Sequence, residues 1–419
     1  MPFDIIRDPL WNNVRVDPIA RRLIDTPQFQ RLRYVRQLGL AYLVYPGATH
    51  SRFEHALGTY HLARRALGLL EERGDLAALR DATECAMART AALLHDVGHY
   101  PFSHALEEIG VLHHEQVARP ILGEGELADV LVAELGAEAA ARIGALIAGE
   151  SASPLGGLIS GSLDLDKIEY LKRDAFMCGV PYGEIDVDRL LHSLRLVAEP
   201  GGPTIVGVAE KGLAALESLL FAKYQMYRNV YWHHAVRSAT AMYKRIVEDA
   251  IRSRAVSLAA LPGFTDEGLL HHLERAGAPP LLVALRERRL HKRAFECPAA
   301  ELEPDAGEWI ADDRALLVAA ENRLAREVGL APGELLLDYP AKTQMLGLDI
   351  PVLRREGIVR RLTAAGWEGA INLPRVSEEL YRSARWLRVF TSRRVEVRRE
   401  RVLELVRMPA ADVRRWATA

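Results

Sequence analysis

Cysteine is scarce: Cys85, Cys178 and Cys297 are an odd number with no CxxC spacing. That excludes a disulfide framework and a cysteine-built zinc site, and it fits a reducing compartment. No apolar run approaches the roughly 18 residues of a membrane span, and the Met-Pro-Phe-Asp start has no basic or apolar leader pattern. The expectation is a cytoplasmic chain with no membrane partner. An excess of one charge is also missing: 54 Lys and Arg face 56 Asp and Glu, for a net of −2. A protein built to coat a polyanion along its whole length is therefore excluded. With 49% apolar and 26% charged residues, the chain is neither disordered nor fibrous. Its 419 residues allow two or three domains, or one large domain with an appendage.

Histidine is abundant. Eight of 14 (His50, His55, His61, His95, His99, His104, His113 and His114) fall within residues 50–114, where even spreading would put about two. Histidine is the commonest metal ligand and the usual acid or base near neutral pH, so a metal or catalytic site is expected in the first third of the chain.

The hydropathy pattern is mostly helical. Asp25-Thr26-Pro27-Gln28 reads as an N-cap at Asp25, and residues 29, 32, 35 and 38 make an apolar stripe that predicts a helix over Phe29–Leu38. A second helix is expected from Ser51-Arg52-Phe53-Glu54 to about Glu72, a third from near Asp81, and helical structure over 125–148. Further helices are expected over Leu165–Ala175 and, in one long aromatic-rich run, over Gly212–Ile251. Leu196–Val208 reads as a β-hairpin, and the segments 386–390 and 395–397 as short strands. The fold class is mainly α, as a helical core over 1–250 with a small β-hairpin, then a C-terminal helical and α+β region over 251–419, regulatory or for oligomerisation.

The chemistry centres on Leu94-His95-Asp96-Val97-Gly98-His99. An adjacent His-Asp pair at the end of an apolar helix needs partners or a ligand. His55 lies forty residues earlier and Asp166 seventy residues later, so two imidazoles and two carboxylates come from three helices. Asp96 suits a bridging role, with His55, His95 and Asp166 completing the ligand set. Mixed nitrogen and oxygen donors suit Mn, Fe, Ni or Mg rather than a closed structural zinc site. A divalent ion lowers the pKa of its water and holds phosphoryl oxygens, which points to phosphoester hydrolysis. His99, His104, His113 and His114 are too many for one ligand set and suit acid, base and phosphate-contact roles. Arg52 projects from the helix face that carries His55 and suits a phosphate.

Arg52-Phe53-Glu54-His55, His95-Asp96-Val97-Gly98-His99-Tyr100-Pro101-Phe102-Ser103-His104, His114-Glu115 and Asp164-Leu165-Asp166-Lys167 together resemble the HD-domain phosphohydrolase superfamily. More narrowly they resemble the deoxynucleoside triphosphate (dNTP) triphosphohydrolases, both bacterial dGTPase-like enzymes and the vertebrate enzyme with a SAM and an HD domain. Phe29–Tyr34, Gln37-Leu38-Gly39, Tyr45–Ala48, Asp186 with Arg189-Leu190, and Arg228–His234 extend the likeness, close over 1–240 and faint beyond. With the likeness starting at the catalytic region, no SAM domain is expected. The resemblance implies an enzyme that releases deoxynucleoside and triphosphate by attack of metal-bound water on the α-phosphorus. It implies metal ligands His55, His95, Asp96 and Asp166, with a second Mg held through substrate phosphates. His104 would be the general acid, supported by Glu107 where the family usually has Asp. His99 and His114 would contact the phosphates with Arg52, Lys167 and Tyr170. Gln37 and Asp174 would read the sugar 3′ hydroxyl, Leu38 would pack on sugar or base, and Tyr231 would close under the sugar. An activating nucleotide would bind at Asp25, Gln30 and Arg33, and the chain would form a dimer or tetramer.

Outside that pattern, His50, His61, His113 and Asp164 read as structural or peripheral, Asp25 as a helix cap, and His271, His272 and His291 as surface. Residues 382–415 carry eleven arginines against four acids, net +7, leaving −9 for the rest. Pairing with acids of this chain or of another subunit is expected there, with single-stranded nucleic acid as the alternative partner. The competing functions are an HD phosphohydrolase for a nucleoside monophosphate or cyclic nucleotide, and a nucleotide-sensing or nucleic-acid-binding protein.

Overall fold

The computed structural model describes residues 3–79, 81, 83–198, 201–341, 349–362 and 373–418. Helices dominate, with three small sheets among the described residues: a hairpin Asp4–Asp8 with Asn12–Val16, a four-stranded sheet and a three-stranded sheet. Among the described residues no helix is long and apolar enough to cross a membrane.

The Arg52–Glu72 helix starts where expected, because the Glu54 carboxylate reaches back to the Ser51 backbone N–H at 2.5 Å and closes a capping box. Its buried face packs on the Glu84–Leu94 helix and on the Leu165–Cys178 helix. Gly58 makes the second contact possible: a Cβ there would lie 2.0 Å from Glu169 Oε1. The His114–Gly123 helix crosses just below the His95–His99 turn, where a Cβ on Gly98 would lie 2.1 Å from the His114 carbonyl. The 125–148 region is two helices, Gly125–Leu135 and Ala139–Ile147, separated by Gly136 at φ 92°.

Three expectations are corrected. Thr26, not Asp25, caps the Pro27–Gln30 helix, while Asp25 closes the preceding Pro18–Ile24 helix. The helix expected over Phe29–Leu38 runs only through Pro27–Gln30 and a tight turn at Arg31–Tyr34, then becomes extended at Val35. Beyond it the backbone N–H of Arg36 donates to Asp266 and that of Gln37 to the His50 carbonyl, so distant partners replace the helical ladder. The long helix expected over Gly212–Ile251 is two helices, Leu213–Met226 and His234–Arg252, joined by a π-turn at Tyr227–Tyr231 and broken at Trp232–His233.

The expected hairpin is present as Leu194–Ala198 against Thr204–Ala209, although Glu199 and Pro200 of its turn lie outside the described residues. It grows into a four-stranded sheet because Ile350–Leu353 pairs parallel to Thr204–Ala209 and antiparallel to Val359–Leu362. Trp386–Thr391 is the central strand of the three-stranded sheet, between Lys292–Pro298 and Leu335–Asp338; residues 395–397 form no strand. The boundary expected at 250/251 falls inside the His234–Arg252 helix. Packing crosses it: Ile350, Val352, Leu362, Tyr381 and Ala384 are buried in one core with residues 14–230.

Candidate active site

A cavity of about 660 Å³ opens where the Arg52–Glu72, Glu84–Leu94 and Leu165–Cys178 helices converge. At its floor His55 Nε2 faces His95 Nε2 at 3.1 Å, with Asp166 Oδ1 2.9 Å from the first and 3.6 Å from the second. Asp96 adds Oδ2 at 3.6 Å from His55 Nε2 and Oδ1 at 3.4 Å from His95 Nε2, and accepts from Arg52 Nη1 at 2.8 Å. The remaining ring nitrogens are committed elsewhere. His55 Nδ1 donates to Glu169 Oε2 at 2.6 Å and His95 Nδ1 to the Ala92 carbonyl at 2.9 Å. Those bonds put the proton on Nδ1 and leave both Nε2 lone pairs aimed at one point, the arrangement metal-ligating histidines adopt.

The electrostatics fit a cation. Burial works against a charged imidazole, yet hydrogen bonds to Asp166 and Glu169 and the charge of Asp96 push His55 up to about 10. His95 is raised for the same reasons, chiefly Asp96 and then Asp166 against burial. Arg52 answers Asp96 and Arg173 answers Glu169, which among the described residues leaves Asp166 facing the two imidazoles without an arginine of its own. A divalent ion held by His55, His95, Asp166 and Asp96 would supply positive charge there.

A second cluster stands beside the first. Glu107 accepts from His104 Nδ1 at 2.9 Å, from His114 Nδ1 at 2.7 Å and from the His114 backbone N–H at 3.1 Å. Burial opposes the Glu107 carboxylate, but the charge and hydrogen bond of His104, with the bond from His114, hold it well below the usual carboxylate range. His104 itself is exposed to the cavity. His99 is fully buried and stacks on His114 with ring centroids 3.8 Å apart. Its Nε2 is 3.1 Å from Asp96 Oδ1 but out of line for a hydrogen bond. Burial, then the charge of Arg52, pushes His99 well below the ordinary histidine value, so it is neutral.

Gln37, Leu38, Arg52, Lys167, Tyr170, Asp174 and Tyr231 all line the same cavity, as do His95, Asp96, His99, His104, Glu107, His114 and Asp166. Asp174 accepts from the Tyr231 hydroxyl at 2.7 Å and lies 2.8 Å from His50 Nε2. Lys167 Nζ bonds the Gly161 carbonyl at 2.8 Å and pairs with Asp164, which also caps its own helix through the Lys167 N–H. Asp25, Gln30 and Arg33 are not among the lining residues. Gln30 and Arg33 bond each other at 2.7 Å, Arg33 lies over the Phe53 ring, and Asp25 is exposed near Arg21. His61 stacks on Trp11, and His113 is exposed. His291, expected at the surface, is buried, and its Nε2 sits 3.0 Å from the Gly333 carbonyl.

Two residues of the site escape sequence reasoning. Glu169 is fully buried and held by Trp11 Nε1 at 2.9 Å and Arg173 Nε at 2.7 Å. Its signal is its place one helical turn after Asp166, on the same face. Lys223 lines the cavity from the Leu213–Met226 helix, where burial, with repulsion from Lys167, pushes its ammonium down to about 8. It sits in an apolar run with no local mark of function.

Two family models match the chain: the HD domain over residues 52–156 and the HD associated region over residues 185–366. The uncharacterized protein MJ1154 of Methanocaldococcus jannaschii is 33% identical over 359 residues, 85% of this chain and 73% of that protein. A protein of Dictyostelium discoideum named as a homolog of the deoxynucleoside triphosphate triphosphohydrolase SAMHD1 is 28% identical over 362 residues, 81% of this chain and 68% of its own length. The chain spans about half the length of several other curated relatives. A crystal structure of a hypothetical protein from Aquifex aeolicus superposes with a TM-score of 0.72 at 28% identity, covering 97% of this chain and 99% of that one. The His-Asp pair, its helical cradle and these relatives agree: the chain belongs to the HD-domain family and carries the HD associated region.

Proposed function

We propose that this protein is a metal-dependent triphosphohydrolase that splits deoxynucleoside triphosphates into deoxynucleoside and triphosphate. One observation carries the reading: a single cavity joins a metal-ligand set, a His–Glu acid pair and a row of cations, with a hydroxyl-reading group beyond them. The sequence relatives named for that activity support it.

His55, His95, Asp96 and Asp166 would hold a divalent ion, which would supply a Lewis acid for a phosphoryl oxygen and an acidified water. Arg52, Lys167 and Lys223 present positive charge to the triphosphate, and His114 and Tyr170 border it. The bond that breaks joins the α-phosphorus to the sugar 5′ oxygen, a poor leaving group that needs a proton. His104, whose Nδ1 is engaged by Glu107, would present Nε2 to that oxygen as the proton donor. At the sugar end Asp174, oriented by His50 and Tyr231, and Gln37 offer polar atoms to a 3′ hydroxyl. Leu38 adds an apolar wall. An activating nucleotide at Asp25, Gln30 and Arg33, and a dimer or tetramer, belong to the same reading.

The test is product analysis on each dNTP, alone and in pairs, with Mn or Mg. Triphosphate release that disappears with a chelator and in His95→Ala or Asp96→Ala is expected. Release of only monophosphate or pyrophosphate, or turnover of cyclic nucleotides and monophosphates alone, would overturn it.

A further inference from the structure

His104 hangs from a bent piece of backbone. The two residues before it, Phe102 and Ser103, both sit in the left-handed region at φ 58° and 60°, a conformation that side-chain-bearing residues avoid. Such a turn persists only where neighbours hold it. Ser103 Oγ donates to the Arg36 carbonyl at 2.6 Å, and Tyr243 donates to the Pro101 carbonyl at 3.1 Å. The Ser103 N–H bonds within the turn, to the Tyr100 carbonyl at 3.0 Å, but the Phe102 N–H is held from outside the HD domain match: Asp266 Oδ1 accepts it at 2.7 Å. Its other oxygen accepts the Arg36 N–H at 3.0 Å, so one carboxylate ties together two segments that wall the cavity. Asp266 is 1% exposed, begins the Asp266–Arg275 helix and lies inside the HD associated region.

We infer that Asp266 is a positioning residue that fixes the Phe102–Ser103 turn and thereby aims the His104–Glu107 pair into the cavity. A two-oxygen acceptor is required, since each oxygen meets a different backbone donor. Asparagine keeps the shape but turns an N–H₂ donor toward one of those N–H groups, so one bond is lost to donor–donor repulsion. The HD associated region thus completes the catalytic geometry of the HD domain. This inference rests on the reading of His104 as the proton donor.

The experiment is a double-mutant cycle on full-length protein with its metal. Asp266→Asn alone is expected to lower kcat for triphosphate release at least tenfold while KM stays within twofold. In a His104→Ala background the same change is expected to cost less than twofold, because the group it aims is gone. An equal loss in both backgrounds, or no loss in kcat, would overturn the proposal. A second arm needs no substrate: Asp266→Asn is expected to speed amide exchange at Phe102 and to shift the imidazole ¹⁵N signals of His104. Unmoved His104 signals would overturn it. If the wild type hydrolyses no dNTP, the proposed reaction fails while the NMR arm still judges the positioning. Should Asp266→Asn not fold, Asp266→Glu, one methylene longer, carries the same expectations and the same refutations.

Discussion

Glu169 decides which nitrogen of His55 meets a cation. It is the acceptor for Nδ1, and Trp11 and Arg173 hold it in that pose. Glu169→Gln can turn an N–H₂ toward Nδ1 and so favour the wrong tautomer. Metal affinity is expected to fall about 10–100-fold, read by calorimetric titration of Mn into the metal-free protein. An unchanged Kd would mean that the imidazole is oriented by its packing alone. Lys223 makes a pH prediction. Its folded value is about 8 against an ordinary 10.5, so between those values the unfolded chain holds a proton that the folded chain lacks. Its effect on stability therefore rises with pH across that window, as the cost of a buried charge is lifted. Phosphate binding runs the other way, since it needs the charged form: KM for a dNTP is expected to rise as pH climbs through 8. Lys223→Arg, whose charge does not titrate there, is expected to lose that limb. A limb that survives in the arginine variant would assign it to another group. These two residues also mark the edge of what the sequence reveals. His95-Asp96 stands out because adjacent polar residues end an apolar helix. Lys223 does not, because a lone lysine in a helix is ordinarily a solvated one.

At the scale of elements, legibility followed how local the causes were. The Arg52–Glu72 helix was readable because its capping box lies within four residues. The break at Trp232–His233 was not, because Tyr224, Tyr227 and Tyr231 keep helical spacing straight through it. A distant partner acts there: Tyr231 donates to Asp174, 57 residues away in the chain, a contact no local pattern encodes. The helix predicted over Phe29–Leu38 failed likewise, as Asp266 and His50 took its backbone groups. Gly58 is where one element sets another's chemistry. Gly58→Ala would drive a methyl group into the Glu169 carboxylate, 2.0 Å away, between two packed helices. A destabilisation of about 1–3 kcal/mol is expected from such overpacking, read by urea unfolding. Loss of metal should accompany it, because the same carboxylate orients His55. A variant as stable and as metal-loaded as wild type would show that the helices part at little cost.

Across the whole molecule, ion pairs tie together segments that lie far apart in the chain. The arginine-rich end illustrates it: Arg385 pairs with Glu308, Arg399 with Glu301, Arg401 with Glu327 and Arg414 with Asp313. Those pairs are intramolecular, the first of the two arrangements expected of that tract. A buried junction forms at Arg237, on the His234–Arg252 helix. One face of its guanidinium grips Glu108 at 2.8 and 2.9 Å, next to the Glu107 that steadies His104. The other grips the fully buried Asp338 at 2.9 and 2.6 Å, at the end of the Leu335–Asp338 strand. Lys244 adds a second bond to Glu108 at 2.7 Å. Arg237→Met keeps the volume and removes the charge, leaving Asp338 in the interior with Lys244 3.9 Å away as its nearest remaining ion-pair partner. Breaking a buried pair from one side costs about 3–5 kcal/mol. The cost falls on the joint between the catalytic region and the C-terminal sheet, so calorimetry is expected to show the sheet melting ahead of the helical core. One undivided transition at the wild-type temperature would mean that apolar packing, not this ion cluster, holds the two together.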